Sequence, residues 1–256
     1  MDIQQCTAVV SGGASGLGEA VVRYMTANGG KAAILDFDAD KGEKLSAQLG
    51  DSVIFCKTDV TDEVSVQEAI HNTVKSFGGI HVAVNCAGIV APRKVIDKHG
   101  NPMPIDSFNR VIQINLIGTM NIIRLATVEM LKNTPNTDGE KGVVINVSSA
   151  AAFDGQTGQA AYSASKAAVV GMTLPLAREF SDHGIRFVTI APGLFMTPMM
   201  AGLPEKAQEA LSQMAPFPKR LGKPEEFAML AGQIIENPMI NGETIRLDAA
   251  LRMAAK

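Results

Sequence analysis

Ser11-Gly12-Gly13-Ala14-Ser15-Gly16-Leu17-Gly18 follows the short β-branched run Thr7–Val10 and leads into a helical pattern over 16–29. A strand, a glycine turn and a helix start, in that order, let backbone N–H groups approach a diphosphate at the positive helix end without Cβ obstruction. Gly12, Gly16 and Gly18 are spaced GxxxGxG, not the GxGxxG of the commonest dinucleotide fingerprint. Alone, such a run is most often only a tight turn. Its place directly after the first strand gives it weight. No Gly-Lys-Ser/Thr follows, which disfavours a nucleoside-triphosphate loop.

Outward from this turn, short apolar runs alternate with longer helical patterns to the end of the chain. Further strands are predicted at Ala32–Leu35, Val53–Cys56, Val82–Val84, Val143–Val147, Arg186–Ile190 and Thr244–Leu247. Most are continuous apolar runs, as strands covered on both faces of a parallel sheet must be. Helices are predicted near 40–49, 62–76, 106–132, 157–181 and 224–236. Thr61 is placed to cap the third, and Pro224 suits a first helical position with Glu225 and Glu226 behind it. Seven strands interleaved with helices predict an α/β fold: a doubly wound parallel sheet with helices on both faces and right-handed crossovers. No linker interrupts the alternation, so 1–256 is expected to be one domain. Three long loops stand out at 88–105, 134–141 and 191–223, the last with its own short helix near 204–214. The first and third are apolar enough to cover a ligand, and 191–223 is the expected substrate loop.

Composition narrows the classes. The 256 residues are 46% hydrophobic and 19% charged with net charge −3, so no basic field suggests nucleic acid or an anionic membrane. No run is expected to approach the ~20 apolar residues of a membrane helix. Cys6, Cys56 and Cys86 are too few and scattered for a disulfide framework and read as buried reduced thiols. The first residues carry no basic targeting signal, which makes the cytoplasm the default expectation. His71, His81, His99 and His183 form no ligand pair, so no metal is expected.

Asp36 ends the second strand, 18 residues after Gly18. A carboxylate there can accept hydrogen bonds from both hydroxyls of an adenosine ribose and repel a 2′-phosphate. No base in the glycine turn offsets that charge, which points to NAD rather than NADP. Asp59-Val60 after the third strand and Asn85-Cys86-Ala87-Gly88 after the fourth fit one cofactor lying across the crevice. Cys86 has no His or Lys beside it in sequence and reads as a packed thiol.

Tyr162 and Lys166 lie four apart on a predicted helix and share a face, so the ammonium is expected beside the phenol. A nearby cation stabilises phenolate and makes a usable general base. Ser149, thirteen residues upstream and just past the fifth strand, can hydrogen-bond a carbonyl or hydroxyl. A YxxxK pair is a poor signal alone. With the strand-end serine and the glycine turn in this order, it is a strong one.

Here the chain resembles the short-chain dehydrogenase/reductase family over essentially its whole length. The matching features are Gly12, Gly16, Gly18, Asn85-Cys86-Ala87-Gly88, Asn115, Ser149, Tyr162, Lys166 and Pro192-Gly193. The resemblance implies a single Rossmann-type domain. It also implies that Tyr162 is the acid/base, that Ser149 orients the substrate, and that Lys166 serves both phenol and nicotinamide ribose. Asn115 would interrupt its helix to hold a proton-relaying water. Carried over residue by residue, the cofactor contacts are Gly12, Ser15, Gly16, Leu17, Gly18, Asp36, Asp59, Val60, Asn85, Cys86, Ala87, Gly88, Tyr162, Lys166, Pro192, Gly193, Phe195 and Thr197. Ser149, Gln156, Gln159 and Tyr162 would face the substrate.

Within the family, Ala151–Gln156, Gly158–Tyr162, Thr189–Phe195, Ile235–Pro238 and the tail Asn241–Asp248 look like the branch that oxidises 3-hydroxyacyl-CoA thioesters and hydroxysteroids. Ser11 stands where Thr is usual, and Ala249-Ala250 replaces a glycine-containing turn. The expected activity is NAD-dependent oxidation of a secondary alcohol, with 3-hydroxyacyl-CoA as substrate. The apolar segment 194–203 would close over an acyl chain, and Arg93, Lys94 and Lys98 would meet CoA phosphates. The alternatives are a 3-oxoacyl carrier-protein reductase, against which Asp36 speaks, a hydroxysteroid dehydrogenase, and a non-catalytic dinucleotide-sensing scaffold. The family also implies a homotetramer built through the helices carrying Asn115 and Tyr162 and through the C-terminal region.

Overall fold

Strands β1 (Thr7–Ser11), β2 (Lys31–Asp36), β3 (Val53–Lys57), β4 (Val82–Asn85), β5 (Gly142–Val147), β6 (Ile185–Pro192) and β7 (Thr244–Leu247) form one sheet. Their order is β3-β2-β1-β4-β5-β6-β7, and every neighbouring pair is parallel. The computed structural model describes residues 1–202 and 204–255; Leu203, the last residue of the apolar segment 194–203, lies outside the described residues. β1, β5 and β6 are buried at every position. Cover on both faces is why they read as unbroken apolar runs.

Helices α1 (Gly16–Ala27), α2 (Ala39–Leu49) and α9 (Pro224–Glu236) cover one face, where Val22, Met25, Leu45, Phe227 and Ile234 build one core layer. On the other, α3 (Glu63–Phe77), α5 (Gly118–Met130) and α6 (Ala160–Glu179) bury Val66, Ile70, Ile122, Met130 and Leu176 around Phe187 of β6. The order reverses between β1 and β4, and ligands of such sheets sit outside the carboxyl ends of the strands at that switch point.

The structure corrects three expectations. The helix expected over 106–132 is α4 (Ile105–Ile112), a π turn (Gln113–Ile117) and then α5. By length and composition Ile105–Met130 could cross a membrane, the one such helix among the described residues. Half of its most apolar window is buried, with Ile122, Ile123, Ala126 and Met130 in the core, so packing on the sheet accounts for its apolarity. Asp62, not Thr61, caps α3, accepting from Val64 N and Ser65 N; Thr61 instead donates its amide and hydroxyl to Asp59 Oδ1.

Two short helices, α7 (Pro198–Ala201) and α8 (Glu205–Ser212), lie in the loop after β6. After β7 the chain turns through Ala249 (φ 52°) and Ala250 (φ 60°), the left-handed region where a Cβ is strained. Glycine belongs in such a turn, and alanine here stores strain. Ala250 is exposed and loses no packing on truncation. Ala250→Gly is therefore expected to raise stability by about 0.5–1 kcal/mol, read as a higher urea midpoint at unchanged m-value.

Candidate active site

A cleft of about 740 Å³ opens at the carboxyl ends of β1, β2, β3 and β4. Gly12, Ser15, Gly16, Leu17, Gly18, Asp36, Asp59, Val60, Cys86, Ala87, Gly88 and Thr197 line it, as the sequence predicts. Gly12 has φ +64°, and a Cβ on it would stand 2.8 Å from Ala87 N; at Gly18 a Cβ would collide with the Gly12 carbonyl. The turn thus folds flat against the end of β4, with Ser15, Gly16, Leu17 and Gly18 facing the cleft. Asp36 accepts from Ala14 N through Oδ2 and from Asp38 N through Oδ1, both at 3.0 Å. Each carboxylate oxygen keeps a lone pair for an incoming hydroxyl. Phe37, Ile89, Arg110, Gln113 and Ile114 also line the cleft, and sequence reasoning passed them over. The last three come from α4 and the π turn, remote in sequence from the glycine turn.

Six expected cofactor residues do not line this cleft: Tyr162 and Lys166 stand beyond its floor, and four others lie elsewhere. Asn85 is buried inside the sheet, donating through Nδ2 to Asn146 Oδ1 at 2.8 Å, because its register places it beside Asn146. Pro192 and Gly193 lie at the end of β6, where Gly193 N donates to the Leu247 carbonyl at 2.9 Å. Phe195 turns its ring over Gly222 and lines a separate cavity of about 230 Å³ with Leu211, Ala215, Leu247 and Leu251.

Beyond the cleft's floor, α6 presents Tyr162 and Lys166 towards the end of β5. Lys166 is buried, with Nζ donating to the Val147 carbonyl at 2.8 Å and standing 5.9 Å from the Tyr162 ring centroid. Burial brings its ammonium down to about 8, opposed by the Cys86 thiol. Burial likewise pushes the Tyr162 phenol up, opposed by a hydrogen bond with Ser149. This corrects the expectation that Lys166 pulls the phenol down. The ammonium shares the face but is held by a backbone carbonyl, so desolvation dominates. Ser149 Oγ also accepts from Ala151 N at 3.1 Å, which fixes it at the start of a single 3-10 turn.

Asn115 sits in the π turn and is fully buried. Its Oδ1 accepts from Ile89 N at 2.8 Å, while Nδ2 donates to the Ile89 carbonyl and to Ser165 Oγ, each at 3.0 Å. A Cβ at Gly88 would come within 3.2 Å of Asn115 Oδ1 and 3.4 Å of Lys166 Nζ, so both side chains converge on that glycine. Ser165 went unnoticed in the sequence; its hydroxyl ties Asn115 to the Tyr162 carbonyl. Gln156 and Gln159 lie on the turn before α6, with Gln156 N donating to Gln159 Oε1 at 3.0 Å.

A glycine-turned parallel sheet whose β5 and α6 bring Ser149, Tyr162 and Lys166 beside one cleft defines a class of oxidoreductase. Residues 6–208 match the short chain dehydrogenase family, and the chain belongs to it. The 3-hydroxyacyl-CoA dehydrogenase type-2 of Drosophila melanogaster is 50% identical over 252 residues, 98% of this chain and 99% of that one. The crystal structure of 3-hydroxyacyl-CoA dehydrogenase type-2 from Mycobacterium avium superposes with a TM-score of 0.96 at 40% identity, covering 99% of this chain and 98% of that one. A 3-ketoacyl-(acyl-carrier-protein) reductase from Brucella melitensis, complexed with NADH, superposes with a TM-score of 0.86 at 26% identity, covering 97% of this chain and 98% of that one.

Proposed function

We propose that this protein is an NAD-dependent dehydrogenase that interconverts 3-hydroxyacyl-CoA and 3-oxoacyl-CoA. The convergence of Tyr162, Ser149 and Lys166 at the end of the Asp36 cleft carries the reading. Ser15–Gly18 would hold the pyrophosphate, Asp36 the adenosine ribose, and Lys166 the second ribose. A bound nicotinamide supplies the hydride acceptor. Ser149 Oγ fixes the substrate oxygen by hydrogen bonding, and Tyr162 Oη takes the hydroxyl proton in oxidation and returns it in reduction. Thr197 and Pro198 pack against Gly16 at the cleft's edge and would help exclude water from the reacting carbon.

The thioester assignment draws on the relatives and on the loop after β4. Arg93 N donates to the Gly158 carbonyl at 2.8 Å, which seats this loop against the turn carrying Gln156 and Gln159. Arg93 also donates to Ser107 Oγ, and Lys94 and Lys98 occupy exposed positions from which they would meet CoA phosphates. A homotetramer is part of the same reading, supported by exposed Ile105, Ile117, Leu174 and Met239 on α4, the π turn, α6 and the approach to β7. So is a cytoplasmic setting, supported by three unpaired cysteines.

The test compares kcat/KM for acetoacetyl-CoA with that for a truncated acetoacetyl thioester lacking the nucleotide. Intact CoA is expected to be at least about tenfold better, the size of one or two charge-assisted phosphate contacts. Equal values would remove CoA recognition by this loop. A far higher value for a ketosteroid would overturn the substrate assignment.

A further inference from the structure

Residues 153–157 follow the 3-10 turn after Ser149 and lead to Gln159, yet they form no helix or strand. Their placement comes from Arg246 of β7, 92 positions away. Its Nη2 donates to Asp154 Oδ2 at 2.6 Å and to the Leu251 carbonyl at 3.1 Å, and its Nε donates to Asp248 Oδ2 at 2.7 Å. The guanidinium carbon stands 5.0 Å from the Phe153 ring centroid. One planar cation thus joins the loop after Ser149, the end of β7 and the C-terminal segment.

That segment then runs back over the same loop. Gln156 Nε2 donates to the Ala254 carbonyl, and Thr157 donates its amide and hydroxyl to the Ala255 carbonyl, all at 3.0 Å. On the opposite side Asp248 packs on Gly193, where a Cβ would stand 2.9 Å from Asp248 Cα. Exposed ion pairs contribute little to stability. This one differs: Arg246 is 21% exposed, Asp154 24% and Asp248 6%, and the fork engages two carboxylates and a carbonyl at once. Lysine could not span that set.

We infer that Arg246 is a positioning residue, a latch that clamps Asp154 and residues 251–255 so that the turn carrying Gln156 and Gln159, just ahead of Tyr162 on α6, stands fixed. It touches neither cofactor nor reacting atoms and acts through the two glutamines. The inference rests on reading that side of Tyr162 as the substrate side. Losing the latch leaves the cofactor cleft and the Tyr162–Ser149 contact in place while letting the substrate wall drift.

The test uses the full-length enzyme as Arg246→Gln, Asp154→Asn and the double variant, with acetoacetyl-CoA and NADH. Each single variant is expected to raise KM for the thioester about tenfold, the scale set by small misplacement of positioning groups, with kcat and NADH Kd within about twofold of wild type. The double variant should be no worse than the poorer single one by more than about twofold, because both remove the same contact. Arg246→Lys should fall between wild type and Arg246→Gln. Unchanged KM alongside a lower Tm would reduce Arg246 to a structural residue and overturn the inference, as would multiplying effects in the double variant. Should Arg246→Gln fail to fold, Asp154→Asn alone carries the KM test. If wild type did not turn over acetoacetyl-CoA, the substrate assignment would fail separately. Hydrogen exchange at the Thr157 amide then decides the latch: faster exchange in the latch variants supports it, and wild-type protection overturns it.

Discussion

Tyr162→Phe lowers turnover by about 10³-fold or more while NADH binds within about twofold of wild type, the expected signature of a lost proton-transfer group. Phe keeps the ring and its packing on α6, and the glycine turn and Asp36 are untouched. What disappears is the hydroxyl that shares a hydrogen bond with Ser149 and stands beside the buried Lys166. The same geometry sets the pH response. Burial holds the phenol above its ordinary value, so Tyr162 carries its proton at neutral pH. It is then ready to donate in ketone reduction and must lose that proton before it can accept one in alcohol oxidation. The oxidation rate should therefore rise with pH on the alkaline side of neutrality, and the reduction rate should fall over the same range. A Tyr162→Phe enzyme with near-normal kcat, or matching pH profiles in the two directions, would sink the acid/base assignment.

Asp36→Ala is expected to weaken NADH binding by about 100-fold, the size of two charge-assisted hydrogen bonds, and to move the NADPH/NADH ratio towards NADPH. The loss has two sources. The ribose hydroxyls lose their acceptor, and Ala14 N, at a residue only 4% exposed, loses the carboxylate that anchors the glycine turn. Asp36→Asn separates them. It keeps an acceptor oxygen but sets an NH₂ group against one of the two backbone amides, so NADH binding should still fall while repulsion of a 2′-phosphate disappears. Wild-type reduction that is equally efficient with both cofactors would show that Asp36 does not select NAD.

Much of this was legible without coordinates. Strands covered on both faces leave continuous apolar runs, and a glycine turn after the first of them marks the rim of the cleft. Those features placed all seven strands to within two residues at each end. They also identified twelve residues that line the cleft, because backbone approach and strand-end position are local properties of the chain. The Tyr162/Lys166 spacing was legible for the same reason: a helix repeats every 3.6 residues wherever it is packed.

Other features belong to the tertiary structure alone. The π turn at Gln113–Ile117 is a shift of backbone hydrogen bonding inside an otherwise helical pattern, and only its packing around Asn115, Ile89 and Ser165 gives it a purpose. The Tyr162 phenol moves up rather than down because the direction depends on burial and on where the ammonium points, neither of which is written in a four-residue spacing. Phe195 faces away from the cofactor cleft because Gly222, distant along the chain, leaves room for its ring. Arg246 looks like any strand-end cation until Asp154, 92 residues upstream, arrives beside it. Hydrophobic periodicity and turn chemistry act over a few residues, so the strands, the glycine turn and the Tyr162/Lys166 pairing could be read along the chain. Desolvation and long-range contacts depend on which distant groups meet, so only the folded chain decided how those side chains are charged, held and enclosed.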